Sequence, residues 1–202
     1  MTLLRRLGNK GDLSKIIIPY FPEHNIYIEP FFGAGGMFFN KPKAQYNILN
    51  DLDSDVSNLF LVLMNQEEGF KKLIQEMPCH SALLDYWKKN RETQPIQKAV
   101  RFLFLSNYTL YGVGNSLRMD PSQHYLKSIM KEIVFTQKYL KNCTFTNWDF
   151  RKFITSISMS PREINESFIY ADPPYVGVGG NYSNHFIEQD SLDLFECLKN
   201  RG

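Results

Sequence analysis

Residues 25–36 read NIYIEPFFGAGG. The first five alternate apolar and polar as a half-buried strand does. Pro30 and the glycines at 33, 35 and 36 then break the pattern with a turn, and residues 37–40 restart it as the beginning of a helix. Strand, glycine-rich turn and helix form the opening unit of an α/β fold in which ligands sit at the carboxyl ends of the strands. There, glycine lets the backbone approach them closely. A tight glycine turn also occurs without a ligand, so the next strand has to be consulted.

That strand is predicted over residues 46–50, and Asp51 ends it, 18 residues after Gly33. The offset is close to the roughly 20 residues at which an acid takes a nucleotide ribose hydroxyl. An Asp ahead of Asp53, Ser54 and Asp55 equally suits a helix cap. From Ser57 to about Tyr139 the apolar spacing turns helical: Leu59, Val62, Leu63, then Phe70, Leu73, Ile74, then Ala99, Phe102, Leu103. Within this stretch, residues 107–121 (NYTLYGVGNSLRMDP) lose the period and read as an exposed loop or hairpin of a length that is usually functional. Strand signals return at residues 143–146 and at 167–171 (SFIYA), the latter a continuous apolar run of the kind buried in a parallel sheet.

The expected fold is therefore Rossmann-like α/β, with segments 1–56 and 143–202 forming one domain and 57–142 a helical insertion. Four strands precede Gly202, with the amphipathic residues 192–199 just before it. The C-terminal strands of such a sheet are expected to be missing and one edge exposed.

The second strand-end motif is Asp172-Pro173-Pro174-Tyr175. The exocyclic N6 amine of adenine is a poor nucleophile because its lone pair is delocalised into the ring. A site that methylates it must set acceptors against its two N–H groups, and the Asp172 carboxylate and Pro173 carbonyl supply them. Consecutive prolines restrict the backbone and carry no N–H, which fixes those acceptors beforehand. Tyr175 offers a flat face to a base drawn out of its helix. The competing reading is a Pro-Pro turn after a strand, with a capping Asp.

With these residues in order, the chain resembles the Dam-type adenine-N6 DNA methyltransferases. The resemblance rests on Arg6-Leu7-Gly8-Asn9-Lys10, on Glu29-Pro30-Phe31-Phe32-Gly33-Ala34-Gly35, on Asn50-Asp51-Leu52-Asp53, on Asp172 to Tyr175, and on FLSNYTLYGVGNSL at 104–117. It implies S-adenosyl-L-methionine as methyl donor and double-stranded DNA as substrate. It further implies that Arg6 and Lys10 hold the donor's methionine end, and that Glu29 and the backbone of Phe32, Gly33, Ala34 and Gly35 line its site. Asp51 would take the ribose and Asp149-Phe150 the adenine. Asp172 would serve both the donor and the target amine, with direct in-line transfer and no metal. The insertion becomes a target-recognition domain in which Asn115 and Arg118 are chemically able to read base edges or, for Arg118, a phosphate.

Composition agrees. Residues 86–141 hold ten Lys or Arg against three acids, a local charge of +7 in a chain of net charge +2, leaving −5 for the remainder. That suits phosphate contact or a solvated helical face. The longest apolar stretches fall far short of the roughly 20 residues that span a bilayer, and residues 1–15 carry no secretory pattern, so a cytoplasmic protein is expected. Cys79, Cys143 and Cys197 are widely spaced and read as reduced and structural, and His24, His80, His124 and His185 have no metal-ligand spacing. Other readings remain open: a binding remnant without turnover, a methyltransferase acting on RNA or on a protein amide, and a nucleotide-binding fold of unrelated chemistry.

Overall fold

The computed structural model describes residues 3–5, 8–112, 114–118, 125–177 and 186–201. Among these residues four strands, β1 (Ile26–Glu29), β2 (Tyr46–Asn50), β3 (Thr144–Thr146) and β4 (Ser167–Ile169), form one parallel sheet in the order β3-β2-β1-β4. The sequence places every strand, with ends shifted by one or two residues. β4 is the largest departure: it is half-buried rather than buried. Among the described residues it has a neighbouring strand on one side only, so an apolar run that would be covered in the middle of a sheet stays partly open.

β1 is central and buried along its whole length. Its alternation sends Ile26 and Ile28 to one face, where they meet Phe150, Phe153, Ile154 and Leu194, and Tyr27 to the other, against Phe38, Leu49 and Phe60. The first face is covered by α7 (Phe150–Ser156) and α9 (Glu188–Lys199). Over the second lie α2 (Ser54–Asn65) and, packed on it, α3 (Glu67–Glu76), α5 (Pro95–Tyr108) and α6 (Tyr125–Leu140). α4 (Ser81–Lys89) adds Leu84 and Trp87 to the same cluster, while α1 (Ser14–Ile17) and α8 (Pro161–Asn165) are short.

Helix starts follow the residues at their ends. Asp53 caps α2 by accepting from the Asp55 amide at 2.9 Å, and Asp149 caps α7 by accepting from Arg151 at the same distance. His80 Nδ1 caps α4, Ser160 forms a capping box with Glu163 at α8, and Pro95 opens α5. The helix expected from residue 37 is only a 3-10 turn at Phe38–Asn40. Lys41 precedes Pro42 and is extended, because the proline ring disfavours helical backbone in the residue before it. Cys79 is exposed and so has no packing role, whereas Cys143 is buried.

One cluster joins sheet and helices. Phe60 is fully buried and packs edge-on against Phe32 at a centroid distance of 4.9 Å, with Phe145 at 5.6 Å. Phe60→Ala is expected to lower unfolding free energy by about 3–5 kcal/mol, measured by urea titration, because a cavity of this size closes only partly. The N-terminal segment is tied to the same body. The Asn107 side-chain amide donates to Leu3 O at 2.8 Å, and the Ser106 hydroxyl both accepts from Arg5 N and donates to Arg5 O at 2.9 Å. Leu3 and Leu4 are buried beside them.

Candidate active site

The carboxyl ends of β1, β2 and β4 and the turn after β3 surround one pocket. Its frame is set by Asn50, a buried amide with all its groups used. Asn50 Nδ2 donates to Pro30 O at 3.0 Å and to Trp148 O at 2.9 Å, while Oδ1 accepts from Thr146 Oγ1 at 2.7 Å and Trp148 N at 3.0 Å. Three strand ends are thereby held in one register, at little net cost for the buried polar group.

The glycine turn follows. Phe32 N donates to Asn50 O at 2.9 Å and Gly35 N to Phe32 O at 2.8 Å, with positive φ at Gly33 and Gly35. Asp51 Oδ2 accepts from Gly33 N at 2.6 Å, and its other oxygen accepts from Asp53 N at 2.8 Å. Asp51 therefore lines the pocket and braces the turn, while the cap of α2 is Asp53. A Cβ at Gly33 would meet nothing within 4 Å, so this backbone lines the pocket with open space beside it. The Phe32 ring points away into the core among Phe38, Phe39, Phe60 and Phe145, and only its backbone serves the turn.

Over the turn lies the loop at residues 8–11, folded by Asn9 Oδ1 accepting from Gly11 N at 3.0 Å. It carries Lys10, whose Nζ bonds Asp172 Oδ2 at 2.8 Å and stands 5.1 Å from the Tyr175 ring centroid. Burial opposes the Lys10 charge, but hydrogen bonds to Asp172 and Tyr175 outweigh it and raise its pKa. Pro173 and Pro174 continue the wall, and Tyr175 is 56% exposed at the rim.

The opposite wall is aromatic. Phe31, Phe150 and Phe186 pack on one another with centroids 5.5 to 6.0 Å apart, and Trp148 joins them along the pocket. Behind them Arg151 bonds Asp193 at 2.7 Å, and also Asp190 and Asp149, drawing α7 against α9.

The floor is Glu29, 2% exposed, its carboxylate accepting from the Tyr27 hydroxyl at 2.9 Å. Burial pushes the Glu29 carboxyl well above its ordinary value near 4.5; the Tyr27 bond and Lys41 oppose the shift, and Asp172 and Asp51 add to it. Burial likewise lowers Lys41 to about 8, with Glu29 opposing; the Lys41 ammonium lies 4.1 Å from the Tyr27 ring centroid. A carboxyl raised on folding keeps its proton longer in the folded chain, so it costs stability as pH climbs from near 4.5 through the folded value. Glu29→Gln is therefore expected to melt higher than the parent chain at pH 8 and alike near pH 4, by calorimetry across that range.

The pocket thus unites a glycine turn, a strand-end acid and the Asp172-Pro173-Pro174 corner. Residues 7–202 match the family model described as D12 class N6 adenine-specific DNA methyltransferase. The chain belongs to this family. Among curated relatives, the DNA adenine methylase of Escherichia coli (strain K12) is 28% identical over 216 residues, covering 97% of this chain and 74% of that protein. That of Haemophilus influenzae (strain ATCC 51907 / DSM 11121 / KW20 / Rd) is 27% identical, covering 85% and 63%, and that of Vibrio cholerae serotype O1 (strain ATCC 39541 / Classical Ogawa 395 / O395) 24%, covering 94% and 71%. Membership in a DNA adenine-N6 methyltransferase family overturns the readings of an unrelated nucleotide-binding chemistry and of an RNA or protein methyltransferase.

For this methyltransferase the pocket gathers Lys10, Glu29, Phe32, Gly33, Ala34, Asp51, Asp149, Phe150, Asp172, Pro173 and Pro174 from segments scattered along the chain. Gly35 turns the backbone just behind it, where a Cβ would overlap the Phe39 and Phe32 rings. Arg6 lies outside the described residues. Asn115 and Arg118 do not line the pocket: Asn115 lies in the hairpin closed by the Thr109–Leu117 antiparallel bridge, and Arg118 just after it, where Arg118 N donates to Tyr108 O at 2.8 Å. Sequence reasoning missed Asn50 as the frame, Gly36 as the seat of the Lys10 loop, and the wall residues Phe31, Trp148 and Phe186. Phe31 and Gly36 stand inside the glycine motif itself, which was the available signal. Among the described residues no three His, Cys, Asp or Glu side chains are grouped to hold a metal ion, and no helix is long and apolar enough to cross a membrane.

Proposed function

We propose that this D12-class enzyme takes its methyl group from S-adenosyl-L-methionine and passes it to adenine N6 in double-stranded DNA, with donor and target meeting in the pocket between β1, β2 and β4. The observation that carries this reading is the sharing of one pocket by the Asp172-Pro173-Pro174 corner, the glycine turn and Asp51.

The groups present suit each part of such a donor. Lys10 is a cation for the carboxylate, and Asp51 an acceptor for ribose hydroxyls. The wall of Phe31, Phe150 and Phe186, with Asp149 beside it, offers an apolar slot edged by one acceptor to an adenine. When bound, the donor supplies an electrophilic methyl on a positively charged sulfur. The chain's own work is placement. Asp172 and the Pro173 carbonyl accept the two N–H groups of the target amine and turn its lone pair toward the methyl, and Tyr175 offers a stacking face to the extruded base. Most of the rate then comes from orientation and fixed dipoles, and the amine proton leaves during or after attack.

Recognition would fall to the helical segment 57–142. Arg118 and Asn115 are its candidates for base edges or, for Arg118, a phosphate, and Arg6 is a candidate for the methionine end of the donor.

The test is incubation of the chain with unmethylated double-stranded DNA and methyl-labelled S-adenosylmethionine, followed by nucleoside analysis. Label recovered as N6-methyladenine is the expected result. A folded chain that binds the donor yet transfers nothing would overturn turnover and leave a binding protein.

A further inference from the structure

Six carboxyl groups line one pocket, against one lysine, Lys10; Asp53 caps α2 and Asp149 and Asp190 bond Arg151, which leaves Glu29, Asp51 and Asp172 at the strand ends. Their order is fixed by the sheet. β1 lies between β2 and β4, and Tyr170 N bonds Ile28 O at 2.9 Å, so Glu29 stands between the strand end that carries Asp51 and the one that carries Asp172. Asp51 is committed to amides of the glycine turn and of Asp53, and Asp172 to Lys10. Glu29 has the Tyr27 hydroxyl on one oxygen and lines the pocket while remaining almost wholly buried.

The reaction removes a charge at this place. Breaking the sulfur–methyl bond leaves the electron pair on sulfur, which becomes a neutral thioether; the methyl forms its bond to N6, and N6 loses a proton. Donor and product therefore differ by one methyl and one positive charge, and a buried carboxyl distinguishes them through the charge. At short range and low effective dielectric, such a difference is worth a tenfold or larger change in affinity.

Resting on the donor assigned above, we infer that Glu29 sets the preference of this pocket for the positively charged sulfonium donor over its neutral thioether product, and so promotes product release. The groups facing Glu29 are Tyr27 on its own strand, Lys41 beyond the glycine turn, Asp51, and Tyr170 and Asp172 after β4. Burial and the two aspartates keep a proton on Glu29 when no cation is near. A cation above it would expel that proton, so preference for the donor should strengthen as pH rises.

The experiment is calorimetric titration of the parent chain, Glu29→Gln and Tyr27→Phe with S-adenosylmethionine and with S-adenosylhomocysteine. It is run in two buffers of different ionisation enthalpy, with folding checked by circular dichroism. Glu29→Gln is expected to bring the ratio of the two dissociation constants about tenfold closer to one, chiefly by weakening the donor, and to remove the proton release on donor binding. Tyr27→Phe keeps the carboxyl, and so the preference. If Glu29→Gln binds both ligands with the parent's ratio, the inference fails and the donor assignment stands. If the parent binds neither, the donor assignment itself is overturned, and the inference with it.

Discussion

Asp172→Ala is expected to lower methyl transfer by about a thousandfold or more while leaving DNA affinity within a few-fold of the parent. The scale is that of removing a preorganised acceptor from a developing charge. Asp172 stands at the corner where β4 ends, held by Lys10 at 2.8 Å, and Pro173 beside it supplies only a carbonyl. Without the carboxylate, one N–H of the target amine has no partner and the lone pair is no longer steered. DNA affinity should persist because the proposed phosphate contacts lie in the basic helical segment and not at Asp172. Donor affinity should fall modestly, since Lys10 loses its anchor. Single-turnover transfer and gel-shift binding at fixed salt separate these quantities. If the variant keeps its fold but loses DNA binding, this division of labour is wrong.

Gly36→Ala is expected to weaken donor binding tenfold or more and to lower the melting temperature by several degrees, although it adds one methyl to an unremarkable glycine. A Cβ there would overlap the Asn9 side-chain oxygen and come within 2.7 Å of the Gly11 amide nitrogen. The second neighbour is backbone, so it cannot swing aside as a side chain would. The loop at 8–11 would have to lift, taking Lys10 from Asp172 and from the proposed place of the donor's carboxylate. Overpacking of this kind typically costs about 1–3 kcal/mol. Differential scanning calorimetry, with titration of S-adenosylmethionine, reads both effects; donor binding unchanged alongside an unchanged melting temperature would show that the loop yields freely.

Much of the site is legible in the sequence because its geometry is local. A strand ending in Pro30 and glycines, a strand ending in Asp51, and a strand ending in Asp172-Pro173 each fix the backbone within a few residues, through steric rules that need no distant partner. Strand ends that share one edge of a parallel sheet must then share a crevice. Elements set by distant contacts read less well. The turn at Phe38–Asn40 looked like a helix because its apolar spacing is helical, but Pro42 stops it after three residues. The run at residues 167–171 reads as a buried strand because it is largely apolar, yet among the described strands it is half-buried at an edge, and composition carries no record of which strands neighbour which.

The sequence by itself determined the α/β class, the four strands and the residues at their carboxyl ends, because side-chain period and backbone stereochemistry act over a few residues. Tertiary structure alone decided that Asn50 frames three strand ends and that Gly36 seats the loop bearing Lys10. It alone decided that Ser106 and Asn107 of α5 hold the N-terminal segment, and that Glu29 is buried in the lining of the pocket. Each depends on residues far apart in the chain being packed at atomic contact, and on the loss of water that such packing imposes on a carboxyl group.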